Sequence, residues 1–156
     1  MKRLLIAVAC MMVVAGAWAA TSELTFSANA FKPKDGGTTY AGQLEMLFPV
    51  GPFLAGPSVS VFHGDDFHGN AFGVAGEWNL GEKCGPGIGV AVHKPGGDAA
   101  DLADLTGEIR AFFKCGSDKA FLKATARQVW SQAADGARSD PDGTSVDAGI
   151  GWRWGK

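Results

Sequence analysis

The chain has 156 residues, a formal net charge of −2 and only 19% charged residues, against about 25% in an ordinary soluble domain. It carries 23 glycines and no apolar run long enough for a membrane-spanning helix, which excludes a helical membrane protein. The acidic balance gives no electrostatic case for nucleic acid as a partner.

Met1 to Ala19 has the three parts of a signal peptide: Lys2 and Arg3, the apolar stretch Leu4 to Val14, and the small-x-small site Ala17-Trp18-Ala19. The apolar stretch falls short of the about 20 residues a span needs, and Gly16 interrupts its end. Cys10 is a poor lipoprotein cysteine, because Ala7 stands where a leucine is expected. Cleavage after Ala19 leaves 137 of the 156 residues as one domain, 20–156. It also removes two of the 14 basic residues, leaving 12 against 16 acidic ones, a charge of −4.

Eight stretches then alternate apolar and polar residues between turn residues, the mark of strands. The first is Leu24 to Phe31, followed by Lys32 to Gly37. The second is Thr39 to Phe48, with a turn through Pro49-Val50-Gly51-Pro52. The third is Phe53 to Phe62, in which Pro57 predicts a bulge or irregularity because proline donates no ladder hydrogen bond. The fourth is Asn70 to Leu80, with a turn from Gly81 to Pro86, and the fifth is Gly87 to His93. Lys94 to Asp101 reads as a loop, with a short helical turn within Asp98 to Asp104. The sixth strand is Leu102 to Lys114 and the seventh Ala120 to Ser131. Gln132 to Gly143 is the longest loop, and Thr144 to Trp154 is the eighth strand.

Each strand has one apolar parity. Phe26, Leu44, Val90, Leu122 and Ile150 belong to it, whereas the other parity is mostly Gly, Ala, Ser and Thr with a few charges. A soluble barrel turns the apolar parity inward and a membrane barrel turns it outward. A water-facing surface would carry many more Lys and Glu, so the small, sparsely charged parity suits a narrow lumen. With the first strand starting at the periplasmic side, Phe31, Tyr40, Phe62, Phe72 and Trp130 fall at the outer rim. Phe48, Phe53, Trp78, Phe113, Phe121, Trp152 and Trp154 fall at the inner rim, which makes two aromatic girdles.

The last strand, Asp147-Ala148-Gly149-Ile150-Gly151-Trp152-Arg153-Trp154, has the order polar, any, Gly, any, any, aromatic, any, aromatic. It resembles the C-terminal strand by which bacterial outer-membrane barrels are recognised for assembly, with Asp147, Gly149, Trp152 and Trp154 as the signal. Gly155-Lys156 departs from the pattern, in which the aromatic is commonly last. Over the whole mature chain the sequence resembles the small eight-stranded outer-membrane proteins of the OmpA transmembrane domain and OmpX type. The resemblance implies an all-β, eight-stranded antiparallel up-and-down transmembrane barrel in the bacterial outer membrane. Outer-membrane lipid would surround it, and the barrel-assembly machinery would be a partner through the C-terminal strand. No surface partner is implied. No peptidoglycan-binding domain follows, so an anchoring role does not carry over.

Glu45, Glu77, Glu108 and Asp147 share the lumen parity with Arg110, Lys123, Arg127 and Arg153, and the charges balance. Buried charges must pair, so these residues predict a salt-bridge network that fills the lumen rather than a solute pore. Cys84 and Cys115 fall in neighbouring periplasmic turns, and an exported setting favours a disulfide over two free thiols. His63 and His68 flank Gly64 to Phe67 in the second outer loop, and His93 begins the third; their spacing matches no metal signature. Asp135, Asp140 and Asp142 lack a calcium-loop pattern and read as turn residues. No metal, cofactor or catalytic residue is expected, since His63 and Ser145 belong to no recognisable motif. The function expected is a structural or surface-interaction barrel acting through its outer loops. The competing readings are a soluble periplasmic lipocalin-like barrel with Phe26, Leu44, Val90 and Ile150 lining a cavity, and a lipid-modifying enzyme.

Overall fold

A computed structural model describes residues 21–31, 38–64, 68–81, 83–101, 103–133 and 143–155. The signal-peptide segment 1–19, the first connection 32–37 and Asp135, Asp140 and Asp142 lie outside the described residues. Eight antiparallel strands form a closed barrel in sequence order: β1 (Ser22–Phe31), β2 (Thr39–Val50), β3 (Phe53–His63), β4 (His68–Asn79), β5 (Cys84–Gly97), β6 (Ala103–Gly116), β7 (Ala120–Ala133) and β8 (Gly143–Trp154). β8 closes on β1 from Ser22↔Trp154 to Phe31↔Ser145. The up-and-down order puts Ser22 and Trp154 with the short β2–β3, β4–β5 and β6–β7 turns at one end, called here the terminal end. The longer connections leave from the other, the loop end.

The apolar parity faces out. Leu44, Val90, Ile150, Leu122 (66% exposed) and Val146 (71%) are all on the outer surface. The small and charged parity faces in, and Arg110 and Glu77 are 1% and 2% exposed.

The strands run further than their prolines suggest, and the ladder shows why. Sequence ends the fifth strand at His93, before Pro95, and begins it at Gly87, after Pro86. In the structure it spans Cys84–Gly97. Pairing of β5 to β6 stops at His93↔Thr106, while pairing to β4 continues to Gly69↔Gly97, so Pro95 sits where only one side is laddered. Pro86 is the mirror case: it pairs with Phe113 on β6, beyond the last β4 partner pair, Asn79↔Gly87. A missing N–H is tolerated on such one-sided stretches. Pro57 creates an irregularity but no bulge. The β2–β3 ladder skips Gly56 and Pro57 and resumes in the same register, from Glu45↔Ser58 to Phe48↔Ala55. The register shift falls instead between β6 and β7, at Ala103 to Leu105.

Beyond Gly97, a 3-10 helix (Asp98–Asp101) tucks Ala99 into the structure in place of an open loop. At the terminal end the β2–β3 connection is only Gly51-Pro52, and Gly51 has φ +62°, a conformation reserved in practice for glycine.

Cys84 and Cys115 are direct partners across β5 and β6 and form a disulfide. They lie on strand ends rather than in the turns themselves. The bond sits on the outward face at the terminal end, and Gly116 N–H donates to the Lys83 carbonyl beside it at 3.0 Å. Cys84→Ser is expected to lower the unfolding free energy by about 2–4 kcal/mol, the usual contribution of a bond closing a loop of this order. Urea unfolding of the detergent-folded barrel checks this: reductant should shift the wild-type midpoint and leave the variant's unchanged.

Candidate functional site: an ion-paired barrel lumen

The pleat of each strand sends alternate side chains inward, and every strand contributes at least one polar group to the interior. From β6 and β7 come the cations Arg110, Lys114, Lys123 and Arg127, and from β8 Arg153. β1, β2, β4, β6 and β8 supply Glu23, Glu45, Glu77, Glu108 and Asp147. Five carboxylates thus meet five cations in one connected network.

Arg110 is its centre. Nη1 lies 2.6 Å from Glu45 Oε1 and 3.1 Å from Glu77 Oε1, and Nη2 lies 2.7 Å from Glu108 Oε1. Lys123 bridges Glu77 and Glu45, and Lys114 bridges Glu23 and Glu77. Arg127 lies 3.1 Å from Glu108, donates to Gln43 Oε1, and is the cation that pairs with Asp147. Arg153 Nε completes the chain at 3.0 Å from Glu23 Oε1. Neutral groups extend it: Gln43 donates to Ser58 Oγ at 3.0 Å, and His93 Nε2 is 3.0 Å from the same hydroxyl.

Sequence parity had located Glu45, Glu77, Glu108, Arg110, Lys123, Arg127, Asp147 and Arg153, and the structure brings all of them together. It missed Glu23, one residue before the first predicted strand, and Lys114, the last residue of the sixth. Both carry the lumen parity of their strands, Glu23 with Thr25 and Ser27, Lys114 with Glu108 and Arg110, and that was the available signal. His93 is corrected: it does not open a loop but is buried in the lumen within β5.

Two aromatic assignments are also corrected. Phe121 belongs to no rim girdle. It shares the inward parity of Lys123 and is 3% exposed. Its ring lies over Gly151, the only residue type leaving room for it there. It also receives Arg153 Cζ at 4.7 Å and Lys114 Nζ at 5.1 Å, both cation–π distances. Phe62 shares the inward parity of Ser58 and Ser60 and is half-buried at the loop end. Phe112, buried over Gly87, is a further lumen aromatic. With Leu47 and Leu54 it packs apolar surface around the ion pairs of the terminal half of the lumen. Outward-facing aromatics remain at both ends: Tyr40, Phe72 and Trp130 at the loop end, and Phe53, Trp78, Phe113, Trp152 and Trp154 at the terminal end. The side chain of Phe31 lies outside the described part.

Within the proposed assembly strand, Asp147 and Gly149 point inward, and Trp152 and Trp154 point outward. His63 and Ser145 are not brought together. His63 is exposed on the outer face of β3, and Ser145 is buried on the inner face of β8. Among the described residues no group of three or more His, Cys, Asp or Glu converges on a metal position.

No family model matches the chain, and no curated protein matches it. Among solved structures it is similar to the N-terminal β-barrel domain of Pseudomonas aeruginosa OprF, with a TM-score of 0.60 and 13% identity over 86% of this chain and 97% of that one. At that identity the likeness establishes the fold alone: a closed, eight-stranded antiparallel barrel.

Removing one member of a buried ion pair strands its partner, at a cost of about 3–5 kcal/mol. Arg127→Met is therefore expected to destabilise the barrel by that amount in urea titrations. The double variant Arg127→Met with Asp147→Leu should recover most of the loss, because Glu108 keeps Arg110 as partner.

Proposed function

We propose that the protein is an outer-membrane barrel that spans the bilayer with its loop end outward. It acts structurally or by surface interaction through those loops, and its lumen is a polar plug rather than a solute pore. The observation that carries this reading is the inversion of the soluble pattern: ionised groups are paired inside, and a continuous band of Leu, Val, Ile and Phe is exposed outside. Such an outer band is stable only in contact with lipid. The aromatic residues at the two ends support the same placement, since amphipathic rings favour membrane interfaces. Closure removes every sheet edge, as a hydrocarbon layer requires. The filled lumen argues against solute flow, because ten charged side chains and the rings of Phe112 and Phe121 occupy an eight-stranded bore that side chains alone can fill.

Under this reading the segment 1–19 directs export, and Trp152 and Trp154 present the outward face of the strand that engages the assembly machinery. The soluble lipocalin-like alternative needs Phe26, Leu44, Val90 and Ile150 around a cavity, yet each is at least 45% exposed on the outside. The enzyme alternative would need a hydroxyl and a base open to substrate, and the Ser58–His93 pair is closed within the lumen.

Fractionation is expected to recover the protein with the outer membrane, and boiled and unboiled samples should run at different apparent sizes on a denaturing gel. Recovery in the soluble periplasm without that shift would overturn the proposal. Ile150→Arg places a charge on the lipid face and is expected to cost about 2–4 kcal/mol in bilayer-folded protein if the position is near the midplane.

A further inference from the structure

His63 closes β3 and His68 opens β4, and they are direct partners in the ladder. Both are exposed on the outward face at the loop end, away from the lumen network. Their ring centroids are 4.5 Å apart with planes tilted by 38°, and the two Nδ1 atoms face each other at 2.9 Å. The backbone N–H of His68 donates to Asp98 Oδ2 at 3.0 Å, which holds the start of β4 against the 3-10 helix.

That approach limits what the pair can bind. Two imidazolium rings would set two N–H donors head to head, so the arrangement is unsuited to an anion. Two neutral rings either share one proton between the Nδ1 atoms or direct both lone pairs at one point. A cation with metal–nitrogen bonds of about 2.0–2.1 Å holds two adjacent imidazole nitrogens about 2.9 Å apart when they subtend a right angle. The observed separation is therefore already that of two neighbouring ligands in a tetragonal or octahedral shell. Ladder pairing sets this spacing in advance, so binding orders little of the chain.

We propose that His63 and His68 form an open two-imidazole site for a late first-row divalent cation, with the remaining positions held by water. Imidazole ligands and a right-angled N–metal–N arrangement favour copper(II), which also stands highest in the divalent affinity order. The site is independent of the lumen and of the barrel's proposed role.

The test uses Cu2+ alone, added to the full chain folded in detergent micelles and followed by electron paramagnetic resonance. The expected result is one equivalent of copper with two imidazole nitrogens in its shell. His63→Ala or His68→Ala should each weaken binding by about tenfold or more, as expected when one of two metal–nitrogen bonds is lost. The double variant should lose the signal. The gel shift on boiling verifies that each variant is folded. A first equivalent bound unchanged by the folded double variant, or no copper taken up by folded wild-type protein, overturns the proposal.

Discussion

The structure depends on the mutual neutralisation of ionised groups buried inside a narrow bore. A carboxylate or guanidinium removed from water is costly unless opposite charges and hydrogen bonds surround it. Here Arg110 touches three carboxylates, and Lys114, Lys123 and Arg127 touch two each; Arg153 adds the Ser117 carbonyl to its one carboxylate, Glu23. Because the pairs join residues far apart in sequence, such as Lys114 with Glu23 and Arg127 with Gln43, they tie opposite walls of the barrel together. The outer surface is thereby free to be almost wholly apolar.

Space inside is rationed by glycine. Phe112 covers Gly87 and Phe121 covers Gly151, each ring lying where a neighbour's side chain would otherwise stand. The same rings give Lys114 and Arg153 an aromatic face at the terminal half of the lumen. On the outside Trp130 covers Gly107 in the same way. A high glycine content in this chain is thus partly a packing device, matched pair by pair with aromatic rings on the adjacent strand.

Most of the architecture was legible because a period of two leaves little freedom: once Leu44 and Ile150 share a face, Glu45 and Asp147 must share the other. The errors came from local signals that pairing overrides. Pro86 and Pro95 read as strand boundaries, but each lies where one neighbour has already left the ladder, so their missing N–H costs nothing. Shortening β5 there misplaced His93. Treating rings at strand ends as a girdle ignored the parity that turns Phe121 inward. The facing of His63 and His68 rested on cross-strand register across a connection, which no local pattern specifies.

Arg153 has a consequence for how the cylinder shuts. Its backbone N–H binds the Lys119 carbonyl at 2.9 Å, its Nη1 the Ser117 carbonyl at 2.8 Å, and its Nε Glu23 on β1. The β1–β8 junction unites the two most distant segments of the chain, the slowest kind of contact to form. A slip of one residue there would put Glu23 and Arg153 on opposite faces of the sheet, and a slip of two would separate them while leaving the hydrogen-bond pattern otherwise intact. One guanidinium therefore favours the native register at the seam over alignments that backbone pairing alone does not distinguish.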